Sequence, residues 1–261
     1  MRPMNLGIIN KSFETQAADF ESKNYNFTKK EYLEHIIENM QLQKRDSVLE
    51  VAAGTCACGR EMASHVKQII CLDATAAMLE IGKKEAEEAG LHNISFVKGY
   101  AEELPFLDHS FDVVVSRLAF HHFTSVKMPF AEMARVLKPG GKLILIDMES
   151  ASEELRRKED KIETLRDASH VKNLSIEEMK QLFAGNHLSI TLCEKVKMPT
   201  VLENWMELTK TPEVMREKIR LLMKEDISGG EQTGFAPYLK ENKIYFDQRW
   251  VMLIGCEINE F

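Results

Sequence analysis

Between residues 47 and 148 the chain sets five short apolar runs, VLEV, IICLD, ISFVKG, FDVVVSR and KLILIDM, among segments of helical periodicity. The runs are too continuous for strands with one wet face, so each is expected to lie in a parallel sheet covered on both sides. Helices are expected at 59–66, at 76–89 with Gly90 as stop, and over PFAEMARVL. Pro139 and Gly140 then make a tight turn in which glycine takes a positive φ. Strand alternating with helix in this way specifies an α/β fold.

Upstream, residues 12–42 read as a helical lead-in with Tyr32, Leu33, Ile36, Ile37 and Met40 on one stripe. Downstream of Met148 the rhythm changes. Residues 151–169, including EELRRKEDK, read as a solvated charged helix, and 175–184 as a helix opened by a Ser175/Glu178 capping box. LSITLCEKVKMP reads as a sixth strand, 202–223 as helix broken at Pro212, ISGGEQTGF as a loop and KIYFDQRWVMLIGCE as a final strand. Residues 1–150 and 151–261 are thus expected to be two parts of one fold unit: a ligand-binding core, and a segment that completes the sheet and covers the substrate.

With 261 residues, 44% of them apolar, one large core with an appendage is within reach. The formal charge of -7 argues against a phosphate-neutralising surface, so no nucleic-acid partner is expected. The stretch MRPMNLGIINKSFE lacks the apolar centre of a secretory signal, and no run approaches the roughly 18 to 20 apolar residues that span a bilayer. A cytoplasmic protein without a membrane partner is the expectation. Five cysteines without scaffold spacing are expected to be reduced. Cys56 and Cys58 lack the spacing of a zinc pair, and no metal is expected.

The turn after the first run, VLEVAAGTCACGR, bears on the ligand. Aligned to a G-x-G-x-x-G fingerprint, it has Cys56 at the second glycine, where the backbone of a dinucleotide site must approach a pyrophosphate. Glu50 would add a carboxylate near two phosphates. Both features weigh against NAD or FAD and suit a cationic ligand without phosphates. Asp73, 19 residues after Gly54 and at the end of the second run, is placed to accept hydrogen bonds from ribose hydroxyls. S-adenosylmethionine combines these features.

The segments VLEVAAGT, CLDAT, GYAEELPF, SFDVVVSRLAFHHF and RVLKPGGKLILIDM, in this order, resemble the class I S-adenosylmethionine-dependent methyltransferases, and within them the ubiquinone/menaquinone-biosynthesis (methyltransferase type 11) branch. The likeness covers roughly residues 12–150. It implies a Rossmann-like, doubly wound, mostly parallel seven-stranded sheet. Its last strand, 244–257, would run antiparallel at or near the edge, with a helical cap at 202–240. It also implies that Glu50, Ala52 and Gly54 surround the methionine part of the cofactor, that Asp73 and Ala74 meet the ribose, that Tyr100, Ala101 and Glu102 border the adenine, and that Ser116 and Arg117 form the floor. Phe13 is a lid residue on the same ground. Ala52 and Cys56 stand where the family commonly has glycine, and Tyr100 where it often has aspartate, departures that touch the adenine contacts more than the cofactor's identity.

The implied reaction is in-line methyl transfer to a small-molecule acceptor such as a quinone precursor. The donor carbon is already activated, so the protein supplies alignment and excludes water. No catalytic residue is assigned. His121 or His122 would serve as a general base if the acceptor is a hydroxyl, or would line the pocket without proton chemistry. Trp205, Phe235, Tyr238, Phe246 and Trp250 either wall an apolar substrate chamber or form the core of the C-terminal part. The alternatives are a methyltransferase acting on RNA or protein, and a non-catalytic sensor that binds the same cofactor.

Overall fold

The structure is a computed structural model that describes residues 5–21 and 29–257. The five apolar runs are strands β1 (Ser47–Val51), β2 (Gln68–Asp73), β3 (Ile94–Lys98), β4 (Phe111–Arg117) and β5 (Leu137–Met148), all mutually parallel. They lie in the order β3-β2-β1-β4-β5. The chain therefore reverses its winding between β1 and β4, and a crevice opens there at the carboxyl ends of the strands. Gly140 has φ 74, and the β4/β5 register shifts between Phe111 and Val113 to absorb the turn.

Strands β6 (Leu188–Val201) and β8 (Lys243–Glu257) extend the sheet beyond β5. β8 inserts between β5 and β6, antiparallel to both, so the last strand stands one place in from the edge that β6 forms. A short eighth strand, β7 (Tyr238–Lys240), pairs with β8 through a hairpin whose Glu241 and Asn242 have φ 50 and 59. That two-residue turn matches the twist of the flanking strands. It corrects the expected helical cap, whose last residues are strand.

The helices are α1 (Leu6–Gln16), α2 (Lys30–Met40), α3 (Ala57–Met62), α4 (Ala76–Glu88), α5 (Lys127–Val136), α6 (Glu153–Arg166), α7 (Ile176–Ala184), α8 (Leu202–Leu208) and α9 (Glu213–Ile227). The lead-in helix starts earlier than expected, at Leu6, while residues 22–28 of the expected 12–42 segment lie outside the described residues. Helix α3 is shorter than its periodicity suggests and continues as a 3-10 turn, Ala63–His65. Ser175 caps α7 by accepting from the Glu178 N–H, and Glu178 reciprocates.

Alternate residues of each central strand feed opposite layers. Leu49, Val51 and Leu72 join Phe120, Phe130 and Phe183 on one face, while Val48, Ile69 and Cys71 join Ile36, Met40 and Met62 on the other. A third core gathers Ile162, Trp205, Ile219, Phe235 and Phe246 beneath α6, α8 and α9. Trp205, Phe235 and Phe246 meet edge to face with centroids 5.1–5.4 Å apart, and Tyr238 stacks on Tyr245. Of the five aromatic residues considered as chamber walls, Trp250 alone borders the main cavity.

Helix α6 also departs from its reading as a solvated face. Arg156, Glu159, Glu163 and Arg166, at three- and four-residue spacing, are buried. Glu159 accepts from the Ala151 N–H at 2.7 Å and pairs with Arg249, and Arg156 donates to the Asn173 carbonyl at 2.7 Å and pairs with Glu178. Charges satisfied in this way are tolerated inside a protein. Among the described residues no helix is long and apolar enough to cross a membrane.

Candidate active site

A cavity open to solvent lies at the carboxyl ends of β1, β2 and β4. Glu50, Ala52, Gly54, Asp73, Ala74, Tyr100, Ala101, Glu102 and Arg117 all line it. Ser116 does not. It is fully buried one position before Arg117, and successive residues of a strand face opposite sides.

The turn between β1 and α3 owes its shape to three left-handed residues, Ala52 (φ 53), Gly54 (φ 57) and Cys56 (φ 60). Two of these positions therefore carry a Cβ where glycine would be free, at roughly 1–2 kcal/mol each. The Cys56 side chain is fully buried in the layer that also holds Cys58 and Cys71. Cys56 is not among the residues that line the cavity. Gly59 has a different reason to be glycine. Its N–H donates to Glu50 Oε2 at 2.9 Å, and a Cβ there would sit 2.6 Å from the same oxygen.

Burial pushes the Glu50 carboxyl up to about 7, against the opposing effects of Arg117, Cys71 and the Gly59 N–H. Arg117 is the adjacent cation, and its Nε and Nη1 are buried without a hydrogen-bond partner among the described residues. Asp73 accepts from the Gly54 N–H and the Thr75 N–H, each at 2.8 Å, and burial still raises its carboxyl above the ordinary value. Four carboxylates, from Glu50, Asp73, Glu102 and Asp167, line the cavity against the two guanidinium groups of Arg117 and Arg166. Such a field favours a cationic ligand.

The far wall carries two histidines on a 3-10 turn, Phe120–His122. Phe120 anchors the turn among Phe123 and Phe130, with centroids 5.1 and 6.2 Å away. Asp147, near the carboxyl end of β5, accepts from the Phe120 N–H at 2.6 Å and lies 2.6 Å from His121 Nδ1. Burial works against protonation of His121, but the Asp147 carboxylate outweighs it and raises the imidazole above its ordinary value; Asp147 itself is lowered by the same contact. His122 is pushed down to about 3 by burial and by its neighbour His121, 4.1 Å away between ring centroids. Its Nδ1 meets Ser169 Oγ at 3.1 Å, and that hydroxyl donates to Asp167 at 2.6 Å.

Helix α1 covers the opening. Ile9, Phe13 and Gln16 line the cavity, and Phe13 stands edge-on to His122 at 5.0 Å. Asn5 donates to the His122 carbonyl at 3.0 Å, Ser12 to Asp167 at 2.8 Å and Thr75 to Asn10 at 3.3 Å, so the helix is tied to three walls. The C-terminal half adds Arg166, Asp167, Leu208, Gln248 and Trp250 to the lining. Of these, Trp250 was among the aromatic residues considered as chamber walls, and the other four carried no signal in the sequence, whereas Asp147 was readable as a third acid at the end of an apolar strand, like Glu50 and Asp73.

A family model described as a methyltransferase domain matches residues 49–145. The uncharacterized methyltransferase YcgJ of Bacillus subtilis is 33% identical over 187 residues, 71% of this chain and 74% of that one. Its crystal structure superposes with a TM-score of 0.79, covering 87% of this chain and 98% of the other. Demethylmenaquinone methyltransferase of Listeria monocytogenes is 34% identical over 145 residues, 53% of this chain and 61% of that relative. Taken with the winding of the sheet and the acid-lined rim, these likenesses show that the chain belongs to the class I S-adenosylmethionine-dependent methyltransferases, with S-adenosylmethionine as its cofactor.

Proposed function

We propose that the chain transfers a methyl group to a small-molecule acceptor bound in the same cavity as the cofactor. The observation that carries this reading is that Arg117, whose buried Nε and Nη1 lack hydrogen-bond partners among the described residues, lines one rim together with the carboxylates of Glu50 and Asp73. Buried guanidinium nitrogens without acceptors are costly unless an anion meets them, and the cofactor's carboxylate is such an anion. Glu50 then faces the ammonium and sulfonium end, with the Ala52–Gly54 turn giving close backbone approach. Asp73 and Ala74 hold the ribose, and Tyr100, Ala101 and Glu102 border the adenine.

S-adenosylmethionine supplies the methyl group on a sulfonium. The protein aligns donor and acceptor, a contribution of roughly 7–11 kcal/mol when the geometry is close to reactive, and α1 with Phe13 shields the site from water. In this reading residues 1–150 hold the donor, and 151–261 complete the sheet and select the acceptor. Phe13, Phe123, Met148 and Trp250 offer apolar walls for a ring or an isoprenoid-like body, a chemistry in keeping with the quinone-directed relatives. The chain's net charge of -7 disfavours RNA as acceptor.

A cell extract separated into small-molecule, RNA and protein fractions, each incubated with the chain and methyl-labelled cofactor, tests this reading. Label is expected in a small molecule. Label confined to RNA or protein, or saturable cofactor binding with no labelled product, would overturn it.

A further inference from the structure

The geometry points to His121 as the general base of the reaction, held by Asp147, and hence to an acceptor that presents a phenolic or enolic hydroxyl on an apolar body. This rests on the methyl-transfer reading above. His121 lines the cavity, its Nδ1 lies 2.6 Å from Asp147 Oδ1, and Asp147 also accepts the Phe120 N–H at 2.6 Å and the Met148 N–H at 2.7 Å. A carboxylate so fixed takes the Nδ1 proton and leaves the Nε2 lone pair as the base. Nε2 has no partner among the described residues. The neighbouring histidine is unsuited to the task, because its Nδ1 meets a neutral serine hydroxyl in place of a carboxylate, its ring lies against Phe13 with centroids 5.0 Å apart, and burial pushes its imidazole down to about 3.

The groups that face His121 come from every side. They are Asp147 of β5, His122 of its own turn, Glu163 and Arg166 of α6, and His170 at 5.8 Å between ring centroids. The two carboxylates raise the imidazole, and Arg166 opposes them. A base poised above its ordinary value suits a weakly acidic hydroxyl better than an alcohol. It has no task with a sulfonium-methylated thioether or a tertiary amine, which carry no proton to remove.

The step balances. The hydroxyl proton passes to Nε2, the oxygen lone pair forms the bond to the methyl carbon, and the carbon–sulfur bond breaks with its electron pair going to sulfur. The imidazolium returns its proton to water. Asp147 is a positioning residue, since it acts through His121.

The test uses the whole chain with methyl-labelled S-adenosylmethionine and a panel of 1-naphthol, 2-naphthol, 1-naphthylamine and 2-naphthalenethiol, chosen for the aromatic walls. His121→Asn keeps a donor for Asp147 and removes Nε2; Asp147→Asn favours the wrong tautomer. Label should enter the naphthols, with a rate that rises tenfold per pH unit at acid pH and levels off on the alkaline side of the ordinary imidazole value, as the raised imidazole of His121 requires. His121→Asn should lower that rate by on the order of 10²–10⁴-fold, and Asp147→Asn in the same direction, while cofactor affinity by calorimetry stays within about twofold, the margin expected of residues outside the cofactor's contacts. In the free chain the imidazole titration of His121 followed by NMR should move to lower pH in Asp147→Asn.

Label on the amine or thiol alone, no label on any probe despite cofactor binding, a His121→Asn rate within about threefold of the parent where general-base loss is far larger, or an imidazole titration unmoved by Asp147→Asn would each overturn the inference. Failure to bind the cofactor at all would instead sink the methyl-transfer reading beneath it.

Discussion

The Gly54 N–H donates to Asp73 Oδ2 at 2.8 Å, joining two residues 19 positions apart across the carboxyl ends of β1 and β2. The acid therefore shapes the glycine turn as well as facing the cavity, and each carboxylate oxygen keeps lone pairs for a ribose. Asp73→Ala is expected to weaken S-adenosylmethionine binding by about 1–3 kcal/mol through lost hydrogen bonds to a charged group. Calorimetry measures this directly. An unchanged affinity would remove the ribose role from Asp73.

Glu50 links stability to pH. Burial raises its carboxyl from 4.5 to about 7. Between those values the folded chain holds a proton that the unfolded chain has released, so this contribution favours the folded state at the acid end and is lost as pH rises through about 7. Glu50→Gln removes the loss and keeps an acceptor for the Gly59 N–H. The variant should be more stable than the parent at pH 8 by on the order of 1–3 kcal/mol, with little difference below pH 4.5. Glu159, also pushed up to about 7, titrates in both proteins and cancels in the comparison. Cofactor binding should weaken in the same variant. Denaturant unfolding at both pH values checks the first expectation, and a parent equal in stability to the variant at pH 8 would contradict it.

Ala52 at φ 53 carries left-handed strain that glycine would not. Relief of roughly 1–2 kcal/mol is partly offset by the roughly 0.4–1 kcal/mol of added freedom in the unfolded chain. Ala52→Gly should thus be neutral or stabilising by up to about 1.6 kcal/mol, and the β-branched Ala52→Val should be clearly destabilising. A valine variant as stable as the parent in thermal unfolding would show that the turn does not hold this conformation in solution.

Gly82 sits inside α4, where alanine ordinarily gains about 0.8–1 kcal/mol. Here a Cβ would stand 2.4 Å from the Thr55 carbonyl oxygen. Gly82→Ala is expected to destabilise by about 1–3 kcal/mol, the cost of overpacking, and to weaken cofactor binding as the turn is pushed toward the cavity. A gain in melting temperature would argue against that close packing.

Strands β1, β2 and β4, with Glu50, Asp73 and Arg117 at or near their carboxyl ends, were legible in sequence because a buried parallel strand is a continuous apolar run and a charged residue closing it stands at the rim. The place of β8 was only partly so, since insertion between β5 and β6 depends on partners far apart in the chain. The β7 hairpin was missed because Glu241 and Asn242 supply the turn without glycine. The α6 stripe read as solvated because its counter-charges, Arg249 and Glu178, come from β8 and α7. For the site, Arg117 was named through the family resemblance and lines the cavity, but its orphaned nitrogens and the His121–Asp147 pair, 26 residues apart, exist only in the folded chain.

The most direct measurement is a crystal structure of the chain grown with S-adenosylhomocysteine. The ribose hydroxyls are expected on Asp73 and the amino-acid carboxylate on Arg117, with the sulfur facing the His121 wall. A ligand whose sugar lies away from Asp73, or whose carboxylate ignores Arg117, would contradict it.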